Sequence, residues 1–304
     1  MTGAGSARVA FAAEDTFRTL ADAPTWIQPG ENVSVGSASL ENALQRARQP
    51  DDPRPDGSYA GNVEGAYNVS FAMTDTEFHD LIFPDGTGLA SSPMLAPTAT
   101  WFVESQLPDG SREQRFLAGA AVESVSISYN QGEAVTVDLT IIYADEPEVG
   151  GTHGSAPADG DIVQPTKDDI ATFSGVTLDI DGVAVEKLQS ASLDISGMAR
   201  FRRGQSRFAV DAVVGAYEPT LSVEAILSGE QNRTLAYGSS TAAEPLDTID
   251  ESSGELSISN RDGVVTTYTL AGLQPNTFDY ADLVSPDADV TDPTDFQVKD
   301  VTTA

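Results

Sequence analysis

The sequence predicts a mainly β protein built from two tandem antiparallel β-sandwich or barrel domains, each with a short flanking helix and a long arm loop. Three observations predict it. Residues 117–143 hold two runs that alternate between apolar and small polar side chains. A set of landmarks in the first half returns in the same order in the second half. And 304 residues that are 40% apolar can bury one large or two ordinary cores.

The alternation is clearest in the middle of the first half. Val125, Ile127 and Tyr129 alternate with Ser124, Ser126 and Ser128; after Asn130-Gln131-Gly132-Glu133, Val135, Val137, Leu139 and Ile141 alternate with Thr136, Asp138 and Thr140. Strand side chains repeat every two residues, so each run has one apolar and one polar face. A four-residue connection containing Gly joins them as a hairpin.

The other elements follow in order. Residues 1–30 read as a mixed N-terminal arm, and Val33 to Leu40 as a strand. Glu41 to Asn62 is a polar excursion, and Gly65-Ala66-Tyr67 opens a strand. Thr74-Asp75-Thr76-Glu77 has capping-box spacing, predicting a short helix that carries Phe78, Leu81 and Ile82 inward. Thr98 to Gln106 is a strand and Pro108-Asp109-Gly110 a turn. From about 145 to 170 acid, Gly and Pro dominate and periodicity vanishes, which marks a linker. Domains of 1–149 and 150–304 result.

Beyond the linker the landmarks return. Ser37-Ala38-Ser39-Leu40 recurs as Ser190-Ala191-Ser192-Leu193, and Gly65-Ala66-Tyr67 as Gly215-Ala216-Tyr217. Ser228-Gly229-Glu230-Gln231 matches the capping box, and Leu270-Ala271-Gly272 matches Leu117-Ala118-Gly119. The polar excursion after each Ser-Ala-Ser-Leu forms an arm. Together the arms hold Arg46, Arg48, Arg54, Arg200, Arg202, Arg203 and Arg207, in a chain with 47 acidic residues. These arginines are either solvated or aimed at acidic surface on a neighbouring copy. The C-terminal hairpin is interrupted by Pro275, Pro286 and Pro293, so it should be short or irregular.

A net charge of −31, with three lysines among 16 basic residues, destabilises a compact chain in dilute buffer. At molar salt the Debye length falls to roughly 3 Å and most of that repulsion disappears. Such a composition matches proteins of salt-in halophiles such as haloarchaea; the other reading is an acidic extracellular protein. Non-specific phosphate binding is disfavoured. No apolar run long enough for a membrane span exists, and the N-terminus does not read as a signal peptide.

Candidates for chemistry are thin. His79 and His153 are isolated, and there is no cysteine. No nucleophile elbow, phosphate loop, dinucleotide fingerprint or zinc spacing is present, so neither an enzyme nor a cofactor is expected. Asp179-Ile180-Asp181-Gly182 lacks the later ligands of a calcium loop and reads as a β-turn. Asp287, Asp289, Asp292 and Asp295 could gather a cation, but an acidic tail needs no such role.

The V-x-S-x-S-x-S strand, Gly-Glu turn and V-x-V-x-L strand of residues 119–139 resemble the tail tube (major tail) proteins of long-tailed, siphovirus-type viruses. So do Phe173 to Gly182, Leu188 to Ile195, Val9 to Thr16 and Trp26 to Gly30. With the composition, a haloarchaeal tailed virus is implied. In that family six domains form a ring, their strands closing a barrel around a DNA channel, and rings stack into a tube. A doubled chain implies a trimer with pseudo-sixfold symmetry.

The resemblance also implies roles for residues. Ser124, Ser126, Ser128, Thr136, Asp138, Thr140, Ser190, Ser192 and Asp194 would line the channel, while Val125, Ile127, Val135, Val137 and Leu139 pack the sandwich. The implied partners are other copies of the chain, the tape-measure, baseplate and terminator proteins, and duplex DNA passing unbound. The implied location is the virion tail, assembled in host cytoplasm. The competing expectation is an exported tandem β-sandwich adhesin or cell-wall layer protein that binds glycan or calcium.

Overall fold

The computed structural model describes residues 7–84, 86–283 and 289–303. Strands of the first half are β1 Arg8–Thr16, β2 Thr19–Leu20, β3 Trp26–Ile27, β4 Glu31–Glu41 and β5 Gln45–Arg48. β6 Pro55–Tyr59, β7 Glu64–Ala72, β8 Ala99–Gln106, β9 Arg112–Asn130 and β10 Thr136–Tyr143 complete it. Then come β11 Ile162–Val163, β12 Val176–Ile180, β13 Val183–Ala184, β14 Leu188–Ser196, β15 Ala199–Arg203 and β16 Ala209–Val214. β17 Glu218–Ala225, β18 Ser252–Asn260, β19 Gly263–Phe278, β20 Thr294–Gln297 and β21 Asp300–Thr303 end the chain. α1 is His79–Ile82 and α2 Gln231–Ala236.

Eight strands form one antiparallel layer in the order β4-β7-β10-β9-β14-β17-β20-β19. Behind it lies a second layer: β1 and β8 with the start of β9, and β12, β18 and β21 with the start of β19. The long strands β9 and β19 belong to both layers. Each bends where it crosses, at Gly119 (φ 63°) and Gly272 (φ 64°). A Cβ at Gly119 would lie 2.8 Å from Arg18 Cγ, and one at Gly272 2.6 Å from Lys299 Cβ, so glycine is required by both conformation and space.

Matching bulges mark both long strands. Ala99↔Ala120 steps to Trp101↔Leu117 in the first half, and Ser252↔Leu273 to Gly254↔Leu270 in the second. Further along, Glu123 is skipped between Ser124↔Thr140 and Val122↔Ile141; Asn276 is skipped between Thr277↔Asp295 and Pro275↔Phe296. An extra residue on one strand sharpens local twist, which lets a long strand turn into a second sheet.

The pairings correct two of the sequence landmarks. Leu40 lies opposite the second residue of β7, Gly65, and Ile195 opposite the second residue of β17, Pro219, whereas Leu193 lies opposite Leu221. A two-residue slip keeps the same face, which is why the pattern concealed it. Likewise Tyr67 and Leu221 share a position, opposite Ile141 and Phe296; Gly215-Ala216-Tyr217 precedes β17.

Three other expectations change. Residues 8–16 are not a loose arm but a strand of the outer layer, with Ala10, Phe11 and Ala12 buried. The linker is docked: β11 pairs in parallel with β3, and Ile162 packs with Trp26, Phe102 and Phe116. The helix after Thr74 is a single turn starting at His79, because Asp75 spends its carboxylate on the Glu77 N–H; Phe78, Leu81 and Ile82 are nonetheless buried. The Asp181-Gly182 corner is a two-residue hairpin turn, with Ile180 opposite Val183 and φ of 54° and 75°. The β19–β20 hairpin is short, as the prolines imply.

A continuous apolar core runs through both halves, from Trp101, Tyr67 and Phe71 to Tyr268, Leu270 and Phe296. His79 sits inside it, bonded through Nε2 to Tyr268 Oη at 2.7 Å. Burial pushes its pKa down from 6.5 to about 4. The unfolded chain therefore takes up the proton first, and stability is lost as pH falls from 6.5 towards 4. About 3 kcal/mol is at stake over that window. His79→Gln keeps an acceptor for Tyr268 without titrating. Relative to it, wild type should lose that amount between pH 7 and 4 in denaturant titrations at molar salt; parallel curves would refute the assignment.

Candidate assembly and channel surface

The eight-stranded layer has one dry and one polar face. Val125, Ile127, Val135, Val137 and Leu139 are at most 2% exposed and fill the core, as the alternation requires. The polar face collects all nine residues singled out from the sequence: Ser124, Ser126 and Ser128 on β9, Thr136, Asp138 and Thr140 on β10, and Ser190, Ser192 and Asp194 on β14. Cross-strand pairing brings them into rows, for example Thr136↔Ser128↔Ser192 and Asp138↔Ser126↔Asp194. Ser192 Oγ lies 3.2 Å from both Ser126 and Ser128 Oγ and donates to Asp194 at 2.9 Å.

The face is wider than the hairpin alone indicated. Asn68 donates to Ser37 at 3.0 Å, adding β4 and β7. Ser222 and Thr277 each donate to Asp295 at 2.7 Å, adding β17, β20 and β19. Those two bonds, Thr277's first, hold the Asp295 carboxyl below the usual range. Asn68 and Ser70 could have been found from the sequence, since they alternate with Tyr67, Val69 and Phe71. The short β20 offers no such run. The residues named here on this face include carboxylates but no lysine or arginine.

The two four-stranded halves of the layer meet at β9 and β14, from Ser190↔Asn130 to Ile195↔Val125. Ala191 and Ile195 at this seam are 3% and 1% exposed. At the far edge β4 pairs with β7 alone among the described residues, and Val35 and Leu40 are 36% and 41% exposed. Arg115 and Tyr143 hold it from beneath through the Ala38 and Ser39 carbonyls. At the other edge, the chain beyond Thr277 pairs on one side only among the described residues, with residues 291–294. The sheet thus ends in two open edges.

A family model described as phage tail tube protein matches residues 5–298. The chain belongs to the phage tail tube protein family. No curated protein matches it. As a tail tube protein it is a structural, self-assembling component of a phage tail.

The arms of this tail tube protein are two hairpins, β5–β6 and β15–β16. Arg203 donates to Val63 O and Glu64, and Arg207 to Gly61 O and Asn42, so these two bind the base of the first arm within the same chain. Arg202 lies 3.8 Å from Asp211, and Arg54 pairs locally with Asp52. Arg46, Arg48 and Arg200 are exposed. No group of three or more His, Asp or Glu able to hold a metal occurs among the described residues. Asp287 lies outside the described residues, Asp295 serves the polar face, and Asp292 is buried against Asn232.

Proposed function

We propose that the chain is a tandem duplication of the tail tube domain, residues 1–149 and 150–304, and that three copies close a pseudo-hexameric ring. The internal seam carries this reading. β14 caps β9, and β4, which holds β14's position in the first half, is left bare. The end of β19, which holds the position of β9, is bare too. Glu123 and Asn276, the two skipped residues, are 153 apart, and Leu40 and Ile195 are 155 apart. Moving the seam by these offsets turns Val125↔Ile195 into Phe278↔Leu40, and Ser126↔Asp194 into Asp279↔Ser39, between neighbouring copies. Repeated three times, an eight-stranded layer closes and loses its edges.

In the closed ring the polar face lines the bore. Short hydroxyl side chains keep it open, and its carboxylates repel phosphate, so duplex DNA passes without binding. Stacked rings then form the tail tube, meeting tape-measure, baseplate and terminator proteins. The charge of −31 fits a haloarchaeal virus of siphovirus type, assembled in the host cytoplasm at high salt.

The chain has no cysteine, so introduced pairs report register directly. Ser39→Cys/Asp279→Cys should give covalent trimers on oxidation of tubes imaged in molar salt, because facing strand residues lie within disulfide reach. Ser126→Cys/Asp194→Cys should close within one chain. Rings made of six whole chains, or tubes without the trimer bond, would overturn this closure.

A further inference from the structure

The two arms occupy matching places but have opposite surroundings. Both hairpins shift register at one point, between Ala47 and Arg48 in the first arm and between Arg202 and Arg203 in the second. Arg48↔Pro55 therefore matches Arg203↔Ala209. By the same count Leu44 matches Ala199, and Tyr59 matches Val213. Ala199 and Val213 are 7% and 3% exposed, whereas Leu44 and Tyr59 are 67% and 57% exposed. No residue of β5 or β6 is buried.

The second arm is partly buried because it has a seat in the first half. Val213 bridges Leu95, and backbone bonds run from Ala96 N to Ala212 O, Val214 N to Met94 O and Met198 N to Glu123 O. Ala199 and Ala212 pack on Ala96 and Ala121. At its tip Phe201 meets Phe17, Arg18 lies over Phe208, and Arg203 pairs with Glu64 at 3.1 Å. The corresponding segment of the second half is bonded on one side to residues 237–238 and, among the described residues, carries no arm. Residues 247–249 precede β18 as residues 94–96 precede β8. There Leu246 and Ile249 are 50% and 41% exposed, beside Glu244, Asp247 and Asp250. Glu218 opens β17 where Glu64 opens β7.

We infer that the β5–β6 hairpin of one copy docks on the second half of its ring neighbour, against residues 244–250, with Arg48 paired to the neighbour's Glu218. The occupant is a second copy of this chain. The exposed Leu44 and Tyr59 cover Leu246 and Ile249, and the arm's arginines meet an acidic strap. The inference rests on the proposed ring, and it makes the arms a lateral clasp within one ring.

Tyr59→Cys/Thr248→Cys tests it, since these positions match Val213 and Leu95. In oxidised tubes the disulfide should join neighbouring chains, while Leu95→Cys/Val213→Cys should close within one chain. Tubes that form without the Tyr59–Thr248 bond, or with it inside one chain, would overturn the clasp and leave the ring intact. Failure of the wild-type chain to assemble would remove the ring and the clasp together. Should the cysteine pair itself block assembly, charge reversal decides. Arg48→Glu should lose tubes and adding Glu218→Arg should restore them; no restoration would overturn the pairing.

Discussion

Leu40→Asp is expected to abolish tube formation while leaving the chain folded, and Ile195→Asp to unfold it. In the proposed duplication the two residues hold the same sheet position, opposite Gly65 and Pro219. Ile195 is 1% exposed beneath the β9–β14 seam, where a carboxylate has no partner and burying it costs about 4 kcal/mol or more. Leu40 is 41% exposed on an open edge, so the same change shifts chain stability by only about 0.5 kcal/mol. In the ring, however, it would face Phe278 of a neighbour and add a charge to a dry seam. Electron microscopy at molar salt and thermal melts of the unassembled chain separate the effects. Tubes of normal length from Leu40→Asp would reject β4 as the closing edge.

Glu104→Gln should cost about 3–5 kcal/mol. The Glu104 side chain is 2% exposed, and it accepts two bonds from Arg8 (2.8 and 2.6 Å), one from Arg112 (2.8 Å) and one from Gln114 (2.6 Å). The Arg8 bond, above all, holds its pKa down at about 2, against 4.5 ordinarily. A depressed carboxylate stabilises above its unfolded pKa, so this contribution fades as pH falls from 4.5 towards 2. Denaturant titrations should show Glu104→Gln clearly less stable at pH 7, with the gap narrowing below pH 4.5. A constant gap across that range would mean the carboxylate's charge is not what matters.

Both sites lie where sequence patterning is weak. Glu104 is an acid in a strand whose first four residues are all buried, so no alternation marks it, and its partners come from β1 and β9. The N-terminal strand escaped notice because Ala10, Phe11 and Ala12 are all buried, so the period of two is lost. The docking of the linker escaped because its anchors, Val149, Ala156 and Ile162, are scattered through a polar run with no period. By contrast β10 and the end of β9 from Ser124 were plain, since one face is dry and one wet there. The polar face was legible for the same reason on β9, β10 and β14, and invisible on β20, four residues long.

The sequence by itself determined the β class and the polar face, because alternation is a local consequence of side-chain period. Only the tertiary structure decided which strands are neighbours, and hence that β9 is paired on both sides while β4, among the described residues, is paired with β7 alone. It likewise decided that one arm is seated and the other bare, and that Arg203 is held within its own chain. Neighbour choice depends on contacts between residues far apart in the chain, which no local pattern encodes. Slips of two residues preserve every face, so register too is settled only by packing.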